Sequence, residues 1–209
     1  MTEDLIAARQ RAVNNPNVKP KAFVHAVFKT AQYKEMVDFY LTFLNAEVVM
    51  AAPTVTFITY DEEHHRIAIA NIPGLRKLDP GSAGLEHISY AYDTLGDLLA
   101  NYVRLKEKGI EPFWRINHGP TTSFYFRDPD GNQIETQVDN FDTEEELFAF
   151  FETEQFINNP MGVELDPDRL VERYLAGDDE EELKRQGAAP IPEGTGYIPP
   201  TERPVEPAR

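Results

Sequence analysis

Cysteine is absent from the 209 residues. Disulfides, thiolate metal ligands and a cysteine nucleophile are therefore excluded, and a reducing, cytoplasmic compartment is the simplest expectation. No apolar run approaches the ~18 residues of a membrane-spanning helix. The opening MTEDLIAARQRAVNN carries acids and has no apolar stretch, so no secretory signal is expected. Basic charge is scarce as well. Lys and Arg number 20 against 36 Asp and Glu, a net −16, which argues against nucleic acid or an anionic membrane as partner. The surplus is uneven: residues 140–209 hold 18 acidic and 6 basic side chains, so it belongs to the last third and does not dictate a substrate. Against these absences stand 41% apolar and 11% aromatic residues, enough for one domain with a full core or two small modules sharing one.

Residues 116–135, INHGPTTSFYFRDPDGNQIE, organise the chain. SFYFR is an alternating aromatic run, DPDGN concentrates turn residues, and QIETQV resumes as a strand, so the stretch reads as a β-hairpin. Because side chains alternate faces along a strand, Tyr125 lies on one face and Phe124 and Phe126 on the other. On the returning strand Glu135 faces away from Ile134 and Thr136, so a carboxylate lines a strand with an apolar reverse.

Residues 1–20 read as a short helix capped by Thr2, then an irregular linker marked by two prolines. Residues 21–71 read as β-α-β-β-β, with strands over 21–29, 47–51, 54–60 and 64–71 and a helix over 32–45. After a Pro/Gly linker the same order recurs in residues 85–139, with strands over 85–92, 111–117, 123–127 and 133–138 and a helix over 94–109. Each opening strand carries a histidine near its middle, His25 and His87. Neither half could bury its sheet alone, so the repeat argues for a paired assembly. Residues 140–187 read as a helical extension, with helices over 142–156, 166–176 and 178–187. Residues 188–209, with six prolines, read as an extended arm.

The repeated unit with His25, His87 and Glu135 resembles the vicinal oxygen chelate superfamily, which includes glyoxalase I, bleomycin-resistance proteins and type I extradiol dioxygenases. The resemblance covers about residues 21–139. It implies an α+β fold in which two βαβββ modules pair into a curved, cup-like sheet around a metal. The order His118, five residues, Phe124-Tyr125, two residues, Asp128-Pro129-Asp130-Gly131, three residues and Glu135 is similar to the extradiol ring-cleaving signature, without departure. The resemblance implies His25, His87 and Glu135 as ligands of Fe(II). Mn(II) suits the same donors. It further implies His65 as acid–base, with His118 and Tyr125 holding the substrate oxygen. Two imidazoles and one carboxylate leave one face of an octahedral metal open for a substrate and O₂. A glyoxalase-like site would need a fourth ligand, an acid on the strand over 64–71, and HHRIAIA has none. The implied activity is O₂-dependent cleavage of a catechol-type ring by a homo-oligomer.

Each residue also has a plainer reading. His25 or His87 alone could be a core histidine, Glu135 a solvated strand acid, and Tyr125 a core tyrosine. His65, after Asp61-Glu62-Glu63, could belong to a polar turn, as His118 could to another, and His64 reads as surface. Phe113, Tyr90 and the single tryptophan, Trp114, are candidate pocket walls. Leu147, Phe148, Phe150, Phe151 and Phe156 form a stripe suited to cover the domain's flank or a neighbouring subunit, and residues 156–163 (FINNPMGV) follow as a candidate lid. Two alternative functions stay open: a metal-dependent isomerase, epimerase or lyase using the same three ligands, and a non-catalytic protein that sequesters a ligand in the same cup.

Overall fold

The computed structural model describes residues 3–76, 79 and 82–194. After helix α1 (Glu3–Val13), the first module runs β1 (Ala26–Thr30), α2 (Tyr33–Phe43), β2 (Glu47–Ala52), β3 (Val55–Thr59) and β4 (Ile67–Asn71). The second repeats it as β5 (His87–Ala91), α3 (Leu95–Glu107), β6 (Trp114–Asn117), β7 (Thr121–Arg127) and β8 (Gln133–Asp139). The C-terminal segment adds α4 (Glu144–Phe151), α5 (Glu154–Asn158), β9 (Val163–Glu164), α6 (Pro167–Leu175) and α7 (Glu180–Leu183). The expected α+β class and the double β-α-β-β-β order are both present. No helix among the described residues is long and apolar enough to cross a membrane.

The strands form a four-stranded sheet, β1-β4-β3-β2, and a five-stranded sheet, β5-β8-β7-β6-β9. Each module joins its first and last strands in parallel and its others antiparallel, as an intervening helix and short turns require. The register makes the repeat residue-specific. Val27 pairs with Ala68 and Ala68 with Phe57 in the first sheet, while Ser89 pairs with Glu135 and Glu135 with Tyr125 in the second. His25 and His87 each stand two residues before the first member of their row.

One core serves both modules. Met36, Tyr40 and Phe43 of α2 and Leu95, Leu98, Leu99, Tyr102 and Leu105 of α3 are buried with Ile58, Ile67 and Ile69 of one sheet and Phe124, Phe126, Ile134 and Val138 of the other. Phe43 meets Phe126 edge to face, with centroids 5.1 Å apart. Polar bonds cross the same junction. Gln32 donates to the Pro129 carbonyl and Asp130, Tyr40 donates to Asp128, and Arg104 donates to the Phe43 carbonyl.

Several boundaries differ from the expectation for identifiable reasons. The strand expected from residue 21 begins at Ala26, because residues 21–25 are exposed and the carbonyls of Phe23 and Val24 accept from the Arg66 side chain instead of a ladder partner. The last strand of the first module begins at Ile67 rather than residue 64. The Asp61–Arg66 ion pair and the Thr59 hydroxyl, which donates to the Glu63 carbonyl, close a compact turn ahead of it. The helix expected over 142–156 is split. Thr143 caps α4, accepting from the Glu146 N–H and donating to the Glu146 carboxylate, and Thr153 donates back to the Phe150 carbonyl while capping α5. The helix expected over 178–187 is reduced to Glu180–Leu183. Strand β9 was not anticipated. Thr2 and residues 195–209 of the expected arm lie outside the described residues.

The C-terminal segment is part of the folded unit. Leu165, Leu170, Leu183 and Ala189 are buried in the shared core, and Asp168 accepts from Tyr102 and pairs with Lys106. Phe148 of the aromatic stripe is 60% exposed, whereas Phe150 lies over Gly119. Replacing a buried phenylalanine by alanine costs about 3–5 kcal/mol, and a surface one within about 0.5 kcal/mol. Phe126→Ala should therefore lower the urea midpoint by the larger amount and Phe148→Ala scarcely at all; equal effects would contradict the shared core.

Candidate active site

Strand alternation sends Phe124 and Phe126 of β7 into the core and leaves Tyr125 on the opposite face, where Glu135 of β8 stands directly across the ladder and Trp114 of β6 on its other side. His87 opens β5, paired with Gln133, so its ring reaches diagonally to Glu135 two residues on. The Glu135 carboxylate is nearly buried and divides its oxygens. Oε2 lies 3.3 Å from His87 Nε2, and Oε1 accepts from the Tyr125 hydroxyl at 2.8 Å. The same hydroxyl lies 3.0 Å from His118 Nε2. On the far side of that ring, His118 Nδ1 donates to the Met161 carbonyl at 2.6 Å. A carbonyl only accepts, so Nδ1 carries the hydrogen and Nε2 is the nitrogen that faces the Tyr125 hydroxyl.

Aromatic rings wall this chain of contacts. Trp114 lies over Tyr125 at 4.7 Å, His87 meets Tyr125 edge-on at 5.4 Å, and Phe113 is 6.5 Å away. Burial, followed by the Glu135 charge and hydrogen bond, raises the Tyr125 pKa well above the ordinary phenol value. Tyr125 thus keeps its proton throughout the neutral range and acts as a donor.

A second group sits on the first module. His65 is sandwiched between His25 and Phe57, each stacked at 4.5 Å, and its Nδ1 meets Nδ1 of His64 at 2.6 Å. Burial, then the neighbouring His25 and His64, lower the His65 pKa from the ordinary histidine value, which favours the neutral imidazole. His25 precedes β1 rather than lying within it and is exposed.

The six expected site residues fall into two clusters: His87, Glu135, Tyr125 and His118 form one chain, and His65 stacks on His25. His25 is not joined to the His87–Glu135 pair. Among the described residues no three His, Asp or Glu side chains stand together in a way that could hold a metal ion. What suits a cation is the pair itself, an imidazole nitrogen and a nearly buried carboxylate oxygen 3.3 Å apart. The sequence reading missed Phe57 and placed Met161 only within the candidate lid over 156–163. Aligning the two halves strand by strand puts Phe57 in the place of Tyr125 and would have found it; Met161 contributes a backbone carbonyl, which has no residue-type signal.

The chain matches the Glyoxalase/Bleomycin resistance protein/Dioxygenase superfamily over residues 22–136. It is 47% identical over 156 residues to biphenyl-2,3-diol 1,2-dioxygenase 2 of Rhodococcus globerulus, covering 74% of this chain and 82% of that protein. Biphenyl-2,3-diol 1,2-dioxygenase 3 of the same organism is 44% identical over 161 residues, 76% of this chain and 85% of its own length. Among solved structures, lactoylglutathione lyase from Agrobacterium tumefaciens aligns with 58% of this chain and 96% of its own at 18% identity, with a TM-score of 0.47. Both Rhodococcus names describe oxygenation of the ring bond beside a vicinal diol rather than between its hydroxyls, the extradiol outcome. The chain belongs to the glyoxalase/bleomycin resistance protein/dioxygenase superfamily, among its extradiol ring-cleavage dioxygenases.

Proposed function

We propose that the protein is an Fe(II)-dependent extradiol dioxygenase that opens a catechol-type ring, with an aryl-substituted catechol such as biphenyl-2,3-diol as the first substrate to try. The observation that carries the reading is the divided Glu135 carboxylate, one oxygen with His87 and the other with Tyr125, with His118 behind. His87 and Glu135 are the residues that would hold the metal, joined by His25 once its ring leaves the stack on His65. When bound, it supplies a centre at which a vicinal diol and O₂ meet and exchange electrons. Fe(II) and Mn(II) both suit two imidazoles and a carboxylate. Ala68 occupies the register position that Glu135 holds in the other half, so the first module offers no fourth, acidic ligand there, which counts against a glyoxalase-like four-ligand site.

The protein's own residues then have distinct tasks. His65, favoured as the neutral base by its surroundings, takes a proton from a diol hydroxyl and returns it when the ring opens. Tyr125 donates to the substrate oxygen, and His118 supports it through Nε2. Trp114 and Phe113 exclude water on that side. A cytoplasmic homo-oligomer fits the lack of cysteine and the edge strand β2, where Val48, Val49 and Met50 are all exposed.

Anaerobic loading with Fe(II), followed by O₂ uptake across a panel of catechols, should give a coloured ring-fission product. His65→Ala should lower kcat by roughly 10²–10⁴-fold with metal content kept, whereas Glu135→Ala should lose the metal. Uptake indifferent to both changes, or a tightly bound metal with no uptake on any catechol, would remove the assignment. Tyr125→Phe deletes a hydrogen bond to a charged oxygen and should lower kcat/KM by a factor equivalent to about 1.5–3 kcal/mol, with metal content unchanged. Light scattering should report more than one chain per particle, and Val49→Lys should shift the population toward monomer; an unchanged mass distribution would place the subunit contact elsewhere.

A further inference from the structure

The contacts behind His118 and Trp114 come from residues 159–164, outside both modules. Asn159 and Gly162 close a turn on each other, the Asn159 amide donating to the Gly162 carbonyl at 2.7 Å and the Gly162 N–H donating to Asn159 Oδ1 at 3.2 Å. Gly162 has φ +104°, and a Cβ there would overlap the Asn117 carbonyl and the His118 Cα, so the turn lies directly on the end of β6. Val163 and Glu164 then pair with Asn117 and Ile116 as β9. Two contacts reach the site from this seat. The Met161 carbonyl accepts from His118 Nδ1, and Glu164 Oε1 accepts from the Trp114 indole N–H at 2.8 Å. Trp114 in turn lies against both rings that it helps to wall, 4.7 Å from Tyr125 and 5.6 Å from His118.

We propose that residues 159–164 are a positioning strap of the active site. The Met161 carbonyl fixes which nitrogen of His118 faces Tyr125, and Glu164 fixes the plane of Trp114 over Tyr125. The expected lid over 156–163 thereby acquires a specific role: it holds the far side of two site residues. A histidine ring held only at Nε2 can rotate or present its other nitrogen, and a carbonyl acceptor at Nδ1 removes that freedom. The catalytic part of this inference rests on His118 and Tyr125 acting on the substrate, as proposed above; the positioning part does not.

Trp114 is the only tryptophan, so its emission reports the strap without any turnover. In the full-length protein, Gly162→Ala should lift the turn off β6, and Glu164→Ala should free the indole. Both should red-shift the Trp114 emission and raise its quenching by acrylamide. Both should also lower kcat/KM by roughly 10–100-fold, mainly through kcat, at unchanged metal content. Glu164→Gln retains an oxygen acceptor and should restore both emission and kcat to near those of the parent protein. The Glu164 pair keeps the test decisive if Gly162→Ala does not fold. Parent-like emission and kinetics in folded Glu164→Ala would overturn the strap. So would a loss in Glu164→Gln as large as in Glu164→Ala, since that would trace the effect to charge rather than to the indole bond. If the parent protein cleaves no catechol yet the emission responds as described, the strap stands and the dioxygenase assignment is what has failed.

Discussion

The alternation of side chains along β7 and β8 lets one hairpin belong to the core and to the site together. Phe124, Phe126, Ile134 and Val138 bury one face, and that burial fixes where Tyr125 and Glu135 must point. A slip of one residue in the pairing would send the phenol and the carboxylate into the core and the phenylalanines into the site. Tyr125 and Glu135 are therefore oriented by hydrophobic burial some distance from themselves, and their own hydrogen bond has only to refine the result. The raised Tyr125 pKa follows from the same placement, because the phenol is itself buried and then stands beside a carboxylate, and both make it give up its proton reluctantly.

The turn joining these strands extends the constraint to the other module. Asp128 accepts from the backbone N–H of Asp130 and Asn132 and from the Asn132 side chain, closing its own turn, and accepts also from Tyr40 of α2. Burial raises the Asp128 carboxyl above the ordinary value, and the donors from Asn132 and Tyr40 act against that shift. Gly131, at φ +91°, supplies the left-handed residue that the turn requires. With Gln32 holding Pro129 and Asp130, the loop that sets the hairpin register is also a clasp between modules. Changes at this loop bear on both halves at once.

The sequence made the repeat, the hairpin and the neighbourhood of Glu135 legible because these rest on local period, turn chemistry and residue type. His118 and Tyr125 were placed together by the resemblance to the extradiol signature, and the structure puts them in hydrogen-bond contact. Other features depend on partners far away in the chain. Residues 21–25 have strand-like composition but find an arginine side chain rather than a neighbouring strand. Thr153 interrupts a continuous apolar pattern with a side-chain bond that periodicity does not register. Strand β9 is two residues long, too short for any alternation to be visible. The stacking of His65 between His25 and Phe57 requires the register of β3 and β4, which the pattern alone left open.

That register exposes an asymmetry between the halves. Ser89–Glu135–Tyr125 in one sheet corresponds to Val27–Ala68–Phe57 in the other, so a histidine precedes the row on both sides but the acid and the phenol stand on one. A second carboxylate at position 68 would add charge of the same sign as a deprotonated diol and would raise the cost of bringing that anion into the site. An alanine there and a phenylalanine beside it leave the first module uncharged along this row and stack an aromatic ring on His65. In the proposed assignment His65 exchanges protons while the second module supplies the fixed charge. Under that assignment, the division between a neutral half and an ionic half is what would let two copies of one unit build a site with separate proton-transfer and anchoring sides.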